Sequence, residues 1–76
     1  FRSREGFLSM DMAQNILVIK TVSGMAMAVA AALDALQMNS IVGCIAGDDT
    51  IMCAIRTAEE TVSVMEKLRK IIDNVE

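Results

Sequence analysis

Residues 25 to 33 read Met-Ala-Met-Ala-Val-Ala-Ala-Ala-Leu, and no polar side chain interrupts them before Asp34. Alanine is the strongest helix former. The stretch therefore predicts a helix from Met25 to about Met38, with Ser23 as its N-cap and Asn39-Ser40 as its end. A helix that is apolar all round has to be covered all round. The chain has 76 residues, enough for one small domain, and small domains bury a lesser share of their surface than large ones. Too little chain remains to wrap this helix, and 54% of all residues are hydrophobic. The surplus apolar surface predicts an interface with another subunit.

The flanking segments read as strands. Phe7–Met12 alternates, with Leu8, Met10 and Met12 against Ser9 and Asp11, the pattern of a half-buried strand. Ala13-Gln14-Asn15 is a turn, and the β-branched run Ile16–Thr21 completes a first hairpin. Ile41–Ala46 and Thr50–Arg56 form a second hairpin around Gly47-Asp48-Asp49, apolar on both faces. With Asp48-Asp49 as a two-residue loop, Cys44 falls opposite Cys53. Thr57-Ala58-Glu59-Glu60 fits a capping box. The helix after it carries Val64, Met65, Leu68, Ile71, Ile72 and Val75 on one stripe. The order is ββαββα, which predicts an α+β fold: a four-stranded, mostly antiparallel sheet packed with two helices. Residues 1–6 are polar and end in Gly6, which predicts a linker from a larger protein ahead of a domain over residues 7–76.

Composition removes several functions. Net charge is −3 and the seven basic residues are scattered, whereas nucleic-acid surfaces need clustered Lys and Arg. This chain alone is not expected to bind DNA. It has no histidine, hence neither the commonest general base nor the commonest zinc ligand. Cys44 and Cys53 fit no CxxC pattern and read as small buried hydrophobes in a reduced, cytoplasmic compartment. Met25–Leu33, the longest apolar run, is too short to span a membrane. The seven methionines read as core and interface filler. Without a catalytic constellation or a phosphate loop, no enzyme activity, cofactor or resident metal is expected. Lys20 and Arg56 read as solvated strand-end charges.

The acidic residues carry what chemistry remains. Asp48 and Asp49 are adjacent like charges at a hairpin tip. Asp there serves turn geometry, accepts a guanidinium or ammonium through charge-assisted hydrogen bonds, or binds a divalent metal through oxygen. Two carboxylates in a short turn make a poor cage, so metal ranks last. Asp34 is the one charge on an otherwise apolar helix, where an unpaired carboxylate is costly. It reads as a solvated charge, as a partner of Asp48 or Asp49 around a cationic ligand, or as a pair for an arginine across the interface.

Three blocks together resemble the C-terminal domain of the bacterial arginine repressor family. They are Asn15–Thr21 running into Gly24-Met25-Ala26 and Ala30–Asp34, then Val42–Ile51, then Arg56-Thr57 followed by Glu59-Glu60. The resemblance implies trimers that pair into a hexamer, with L-arginine, a co-repressor rather than a cofactor, bound between the trimers. It implies that operator DNA is bound by a separate N-terminal winged helix-turn-helix domain. It carries Asp48, Asp49 and Asp34 over as ligand residues, with Ala46 and Gly47 lending backbone groups. The family typically has Gln where Met27 stands here. A thioether is a weak acceptor and no donor, so Met27 implies weaker arginine binding, a changed ligand preference, or assembly held mainly by apolar contacts. A ligand-independent oligomerisation module and a sensor of a different amino acid are the competing readings.

Overall fold

The computed structural model describes residues 6–73. Two tight loops organise it. Ala13 pairs with Ile16, leaving Gln14-Asn15 as the loop between β1 (Phe7–Ala13) and β2 (Ile16–Thr21). Ala46 pairs with Ile51, and the Gly47 amide donates to the Thr50 carbonyl at 2.8 Å, leaving Asp48-Asp49 as the loop between β3 (Ile41–Ala46) and β4 (Thr50–Ile55). The two hairpins join through β2 and β4, giving one antiparallel sheet in the order β1-β2-β4-β3. Helices α1 (Ala26–Ala35) and α2 (Ala58–Asp73) follow the first and second hairpin, so the α+β, ββαββα architecture is the observed one.

The core follows from two periodicities. Alternate residues Leu17 and Ile19 of β2 and Ile51, Cys53 and Ile55 of β4 are buried, as period two requires of one sheet face. Against them lie Ala26, Val29 and Leu33 of α1 and Val64 and Leu68 of α2, spaced three to four residues apart. Each large apolar side chain buried this way contributes roughly 1.5–3 kcal/mol. Thr61 is also fully buried, and its hydroxyl donates to the Thr57 carbonyl at 2.8 Å. That bond is why a polar residue is tolerated there.

Several local expectations are corrected. Leu8 does not share the buried face with Met10 and Met12, because a bulge between Phe7 and Ser9 breaks the alternation and leaves Leu8 60% exposed. Ser23 does not cap α1. The N-cap position is Met25, whose side chain makes no capping bond, and the Ala26 amide instead donates to the Asp48 carbonyl at 3.2 Å. α1 also stops before Met38, since Gln37 turns to a φ of 52°. Its amide donates to the Asp34 carbonyl at 3.1 Å, closing the helix in the left-handed manner usual at C-termini. β4 ends at Ile55, one residue short of Arg56.

α2 starts at the expected residues, with one arm of the capping box formed and the other replaced by a bond between the two side chains. The Glu60 amide donates to the Thr57 hydroxyl, and that hydroxyl donates to the Glu60 carboxylate, each at 3.0 Å. Val64 and Leu68 are buried and Met65, Ile71 and Ile72 half-buried, while Val75 lies outside the described residues. So does the linker expected over residues 1–6, apart from Gly6. That glycine is buried against Met25 and Val29, and its carbonyl accepts from the Val22 amide at 2.9 Å.

The surplus apolar surface is real. In the single chain, Met27, Ala28, Ala31 and Ala35 of α1 are exposed. So are Val42, Ile45 and Met52, and Ile45 is 79% exposed. Ile45 and Met52 are register partners, one residue out of phase with Cys44 and Cys53, which places them on the sheet face away from the helices. Among the described residues no helix is long and apolar enough to cross a membrane.

Candidate ligand site at the second hairpin turn

The Asp48-Asp49 turn is fastened to the rest of the fold by its main chain. The Asp49 carbonyl accepts from the Thr21 amide at 2.8 Å, at the end of β2. The Asp48 carbonyl accepts from the Gly24 amide at 3.1 Å and from the Ala26 amide at the start of α1. Gly24 has a φ of +80°, a left-handed conformation that glycine adopts without a Cβ penalty. One end of α1 is thus capped by a loop from the other hairpin, a tertiary substitute for the missing side-chain cap.

With their carbonyls engaged, both aspartates leave their carboxylates exposed. They stand at the N-terminal end of α1, where the helix dipole favours negative charge. The Thr50 hydroxyl donates to Oδ1 of Asp49 at 2.9 Å. Lys20 Nζ in turn donates to the Thr50 hydroxyl at 2.9 Å, because the β2–β4 register sets Lys20 opposite Thr50. Lys20 is thus exposed, as expected of a strand-end charge, and its ammonium also holds Thr50. Arg56 is exposed too, and its Nε donates to the Asn39 carbonyl at 3.1 Å.

Met27 follows Ala26 in the first turn of α1 and is 73% exposed. Gly47 is exposed, its amide used by Thr50, and Ala46 is half-buried on the helix side opposite Ile51. Ala46, Gly47, Asp48, Asp49 and Met27 are thereby gathered at one end of α1. Asp34 is not among them: it lies two helical turns on, about 12 Å along the axis at ~1.5 Å per residue.

Asp34 is exposed and sits instead near the cysteine pair. Cys44 and Cys53 are register partners with free thiols. Burial pushes both thiols above their ordinary ionisation range, and the negative charge of Asp34 adds to the rise. They are inert, protonated thiols at neutral pH, side by side across the β3–β4 pair. Among the described residues no group of three or more His, Cys, Asp or Glu side chains gathers to hold a metal.

Sequence reasoning found the aspartates but missed Thr50 and Lys20 as their neighbours. The signal was present in the two-residue loop, which puts Thr50 directly after the pair. Lys20 was hidden because its partner strand is distant in sequence.

Comparison with known proteins places the chain in a family. The family profile described as arginine repressor, C-terminal domain, matches residues 3–70. An arginine repressor of Lachnoclostridium phytofermentans is 77% identical over 70 residues, covering 92% of this chain and 46% of that protein. Those of Lachnospira eligens and Alkaliphilus oremlandii are 70% and 48% identical, covering 93% and 91% of this chain and 47% and 46% of theirs. The relatives bear the name of a repressor, a transcriptional regulator and not an enzyme, and this chain spans about half their length. With its match running through both hairpins, α1 and most of α2, the chain belongs to the arginine repressor C-terminal domain family.

Proposed function

We propose that this chain is the effector-binding and assembly domain of an arginine-responsive transcriptional regulator of the cytoplasm. L-arginine bridges two trimers, and the resulting hexamer presents DNA-binding domains, located elsewhere in the protein, to operator DNA. The observation that carries this reading is the Asp48-Asp49 turn, whose main chain is locked to β2 and α1 while both carboxylates face outward. A rigid pair of carboxylates suits the two cationic ends of arginine. The exposed apolar surfaces on the sheet and on α1 supply the subunit contacts. Asp34, apart from the turn within one chain, completes the site from across the subunit interface.

The mechanism is linkage. A ligand that contacts two trimers binds the hexamer better than the free trimer and so stabilises it. Tethered DNA-binding domains then engage operator half-sites together, and their effective concentration multiplies weak individual affinities.

Sedimentation equilibrium at low micromolar protein, with and without millimolar L-arginine, tests this. The mass is expected to move from trimer to hexamer, and Asp48→Asn or Asp49→Asn to suppress the shift. A charge-assisted hydrogen bond is worth about 1.5–3 kcal/mol, so each substitution is expected to weaken arginine binding roughly ten- to a hundredfold. An arginine effect on neither mass nor thermal stability sinks the proposal. The exposed thioether of Met27 favours one second reading, a sensor of another amino acid, which a thermal-shift screen across the amino acids separates. If nothing binds and the mass is constant, the chain is a ligand-independent assembly module.

A further inference from the structure

We propose that Cys44 and Cys53 are a modification site, a cross-strand pair that a hydroperoxide closes to a disulfide, tying together the hairpin that carries the Asp48-Asp49 turn. The two residues are register partners on β3 and β4, with free thiols. What qualifies them is the kind of pair they occupy. The Gly47 amide bonds to the Thr50 carbonyl across the turn, so Gly47–Thr50 is a hydrogen-bonded pair. Hydrogen-bonded and non-hydrogen-bonded pairs alternate along an antiparallel ladder. The register runs unbroken through Ala46–Ile51 and Ile45–Met52 to Cys44–Cys53, which is therefore a non-hydrogen-bonded pair. The far end of β4 agrees: Ile55, in phase with Cys53, sends its amide to the Asn15 carbonyl at 2.9 Å, away from β3. In a non-hydrogen-bonded pair the Cα atoms stand about 4.5 Å apart, inside the roughly 4.4–6.8 Å that a disulfide spans. The strands need not move to be bridged.

The surroundings accept the product and order the steps. Both side chains face the helices, Cys53 fully buried opposite its β2 partner Leu17 and Cys44 half-buried against the core. A disulfide has no charge and no donor, so an apolar core admits it without a polar partner. β3 is an edge strand of the sheet. A lift of that strand alone brings Cys44 to solvent, while Cys53 stays held between β2 and its own core neighbours. Cys44 is thus the thiol that meets the oxidant. Its sulfur attacks one oxygen of hydrogen peroxide, the O–O bond breaks, and the thiol proton leaves with the second oxygen as water, giving a sulfenic acid. The Cys53 sulfur then attacks the sulfenic sulfur, and the displaced hydroxyl leaves with the Cys53 proton as a second water. The two thiols have lost two protons and two electrons, and the peroxide has taken up both. Burial and the charge of Asp34 keep the thiols protonated, so the reaction is slow and the pair records sustained exposure to oxidant.

Treatment of the reduced, folded chain with hydrogen peroxide, followed by peptide mapping and melting, tests the site. Cleavage on the N-terminal side of Asp48 and Asp49 parts Cys44 from Cys53. The two fragments, taken from material with the mass of one chain, are therefore expected to stay joined until dithiothreitol is added. The oxidised chain is expected to melt roughly 10 °C higher than the same sample after dithiothreitol, as closure of the short segment between the cysteines implies. That comparison cancels any methionine oxidation, which dithiothreitol leaves in place. In Cys53→Ser, Cys44 is expected to stop at the sulfenic acid, which dimedone traps; in Cys44→Ser, dimedone is expected to label nothing. Absence of an internal link in the folded wild type overturns the inference, with the chain in urea, where the thiols meet freely, as the control that the oxidant suffices. Links formed only between chains overturn it too. So does an internal link that lowers the melting temperature, since the strands are then strained by the bridge.

Discussion

Gly24 holds the junction between the Asp48-Asp49 turn and α1. Its φ of +80° is what lets its amide and that of Ala26 reach the same Asp48 carbonyl. A Cβ there meets nothing within 4 Å, so the cost of Gly24→Ala is purely one of backbone conformation, about 1–2 kcal/mol. Urea unfolding is expected to register that loss, and arginine affinity to fall with it. The cysteines give a second residue-scale expectation. Because burial holds both thiols protonated above the ordinary 9.0, the unfolded chain releases protons at alkaline pH that the folded chain keeps. The stabilisation is complete below about pH 9 and fades as pH rises past it. Urea midpoints at pH 7 and pH 10 are expected to separate in the wild type and to draw together in Cys44→Ala/Cys53→Ala. At this scale Asp48 and Asp49 were legible in the sequence, since adjacent acids at a two-residue loop are visible in a string of letters. Thr50's hydroxyl and Lys20's ammonium were not, because their alignment depends on which strand pairs with which.

α2 and α1 show how differently two helices expose their rules. Everything that starts α2 lies within four residues: Thr57 and Glu60 form their reciprocal bonds, and Glu59 and Glu60 place negative charge in the first turn. Its buried residues recur at helical spacing, so the element could be read directly. Thr57→Ala is expected to cost about 1 kcal/mol and to lower Tm by roughly 4–8 °C in a domain this small, measurable by calorimetric melting. α1 has no such local grammar. Its run of alanines marks a helix but offers no polar boundary, so its start is decided by Asp48 and its end by Gln37. Ser23 looked like a cap on residue type alone; the carbonyl of a residue 22 positions ahead of Ala26 took the role. Leu8 was misassigned for a related reason, as a bulge at an edge strand leaves no mark in the alternation itself.

For the molecule as a whole, the sequence announced that apolar surface exceeds what one chain hides, and the structure says where it is. One part is the sheet face around Ile45 and Met52, the other the outer side of α1. Ile45→Glu is expected to leave the monomer's fold intact, because Ile45 touches solvent and not the core. If this face lies between subunits, the buried charge blocks association, and sedimentation shows a lighter species with an unchanged circular dichroism spectrum. An unchanged mass removes the sheet face from the assembly and leaves α1 to account for it. Pairing Ile45→Glu with Ala31→Glu on α1 assigns each surface its own step.

The fastening of the turn also has a kinetic consequence. The amides of Thr21, Gly24 and Ala26 lie along one short stretch from the end of β2 to the start of α1, and all donate into two consecutive carbonyls of the other hairpin. None of the three can exchange its proton with water unless the turn lifts, so they share one opening event. Deuterium uptake at these positions is expected to slow in concert when arginine is added, making the backbone itself a label-free gauge of site occupancy.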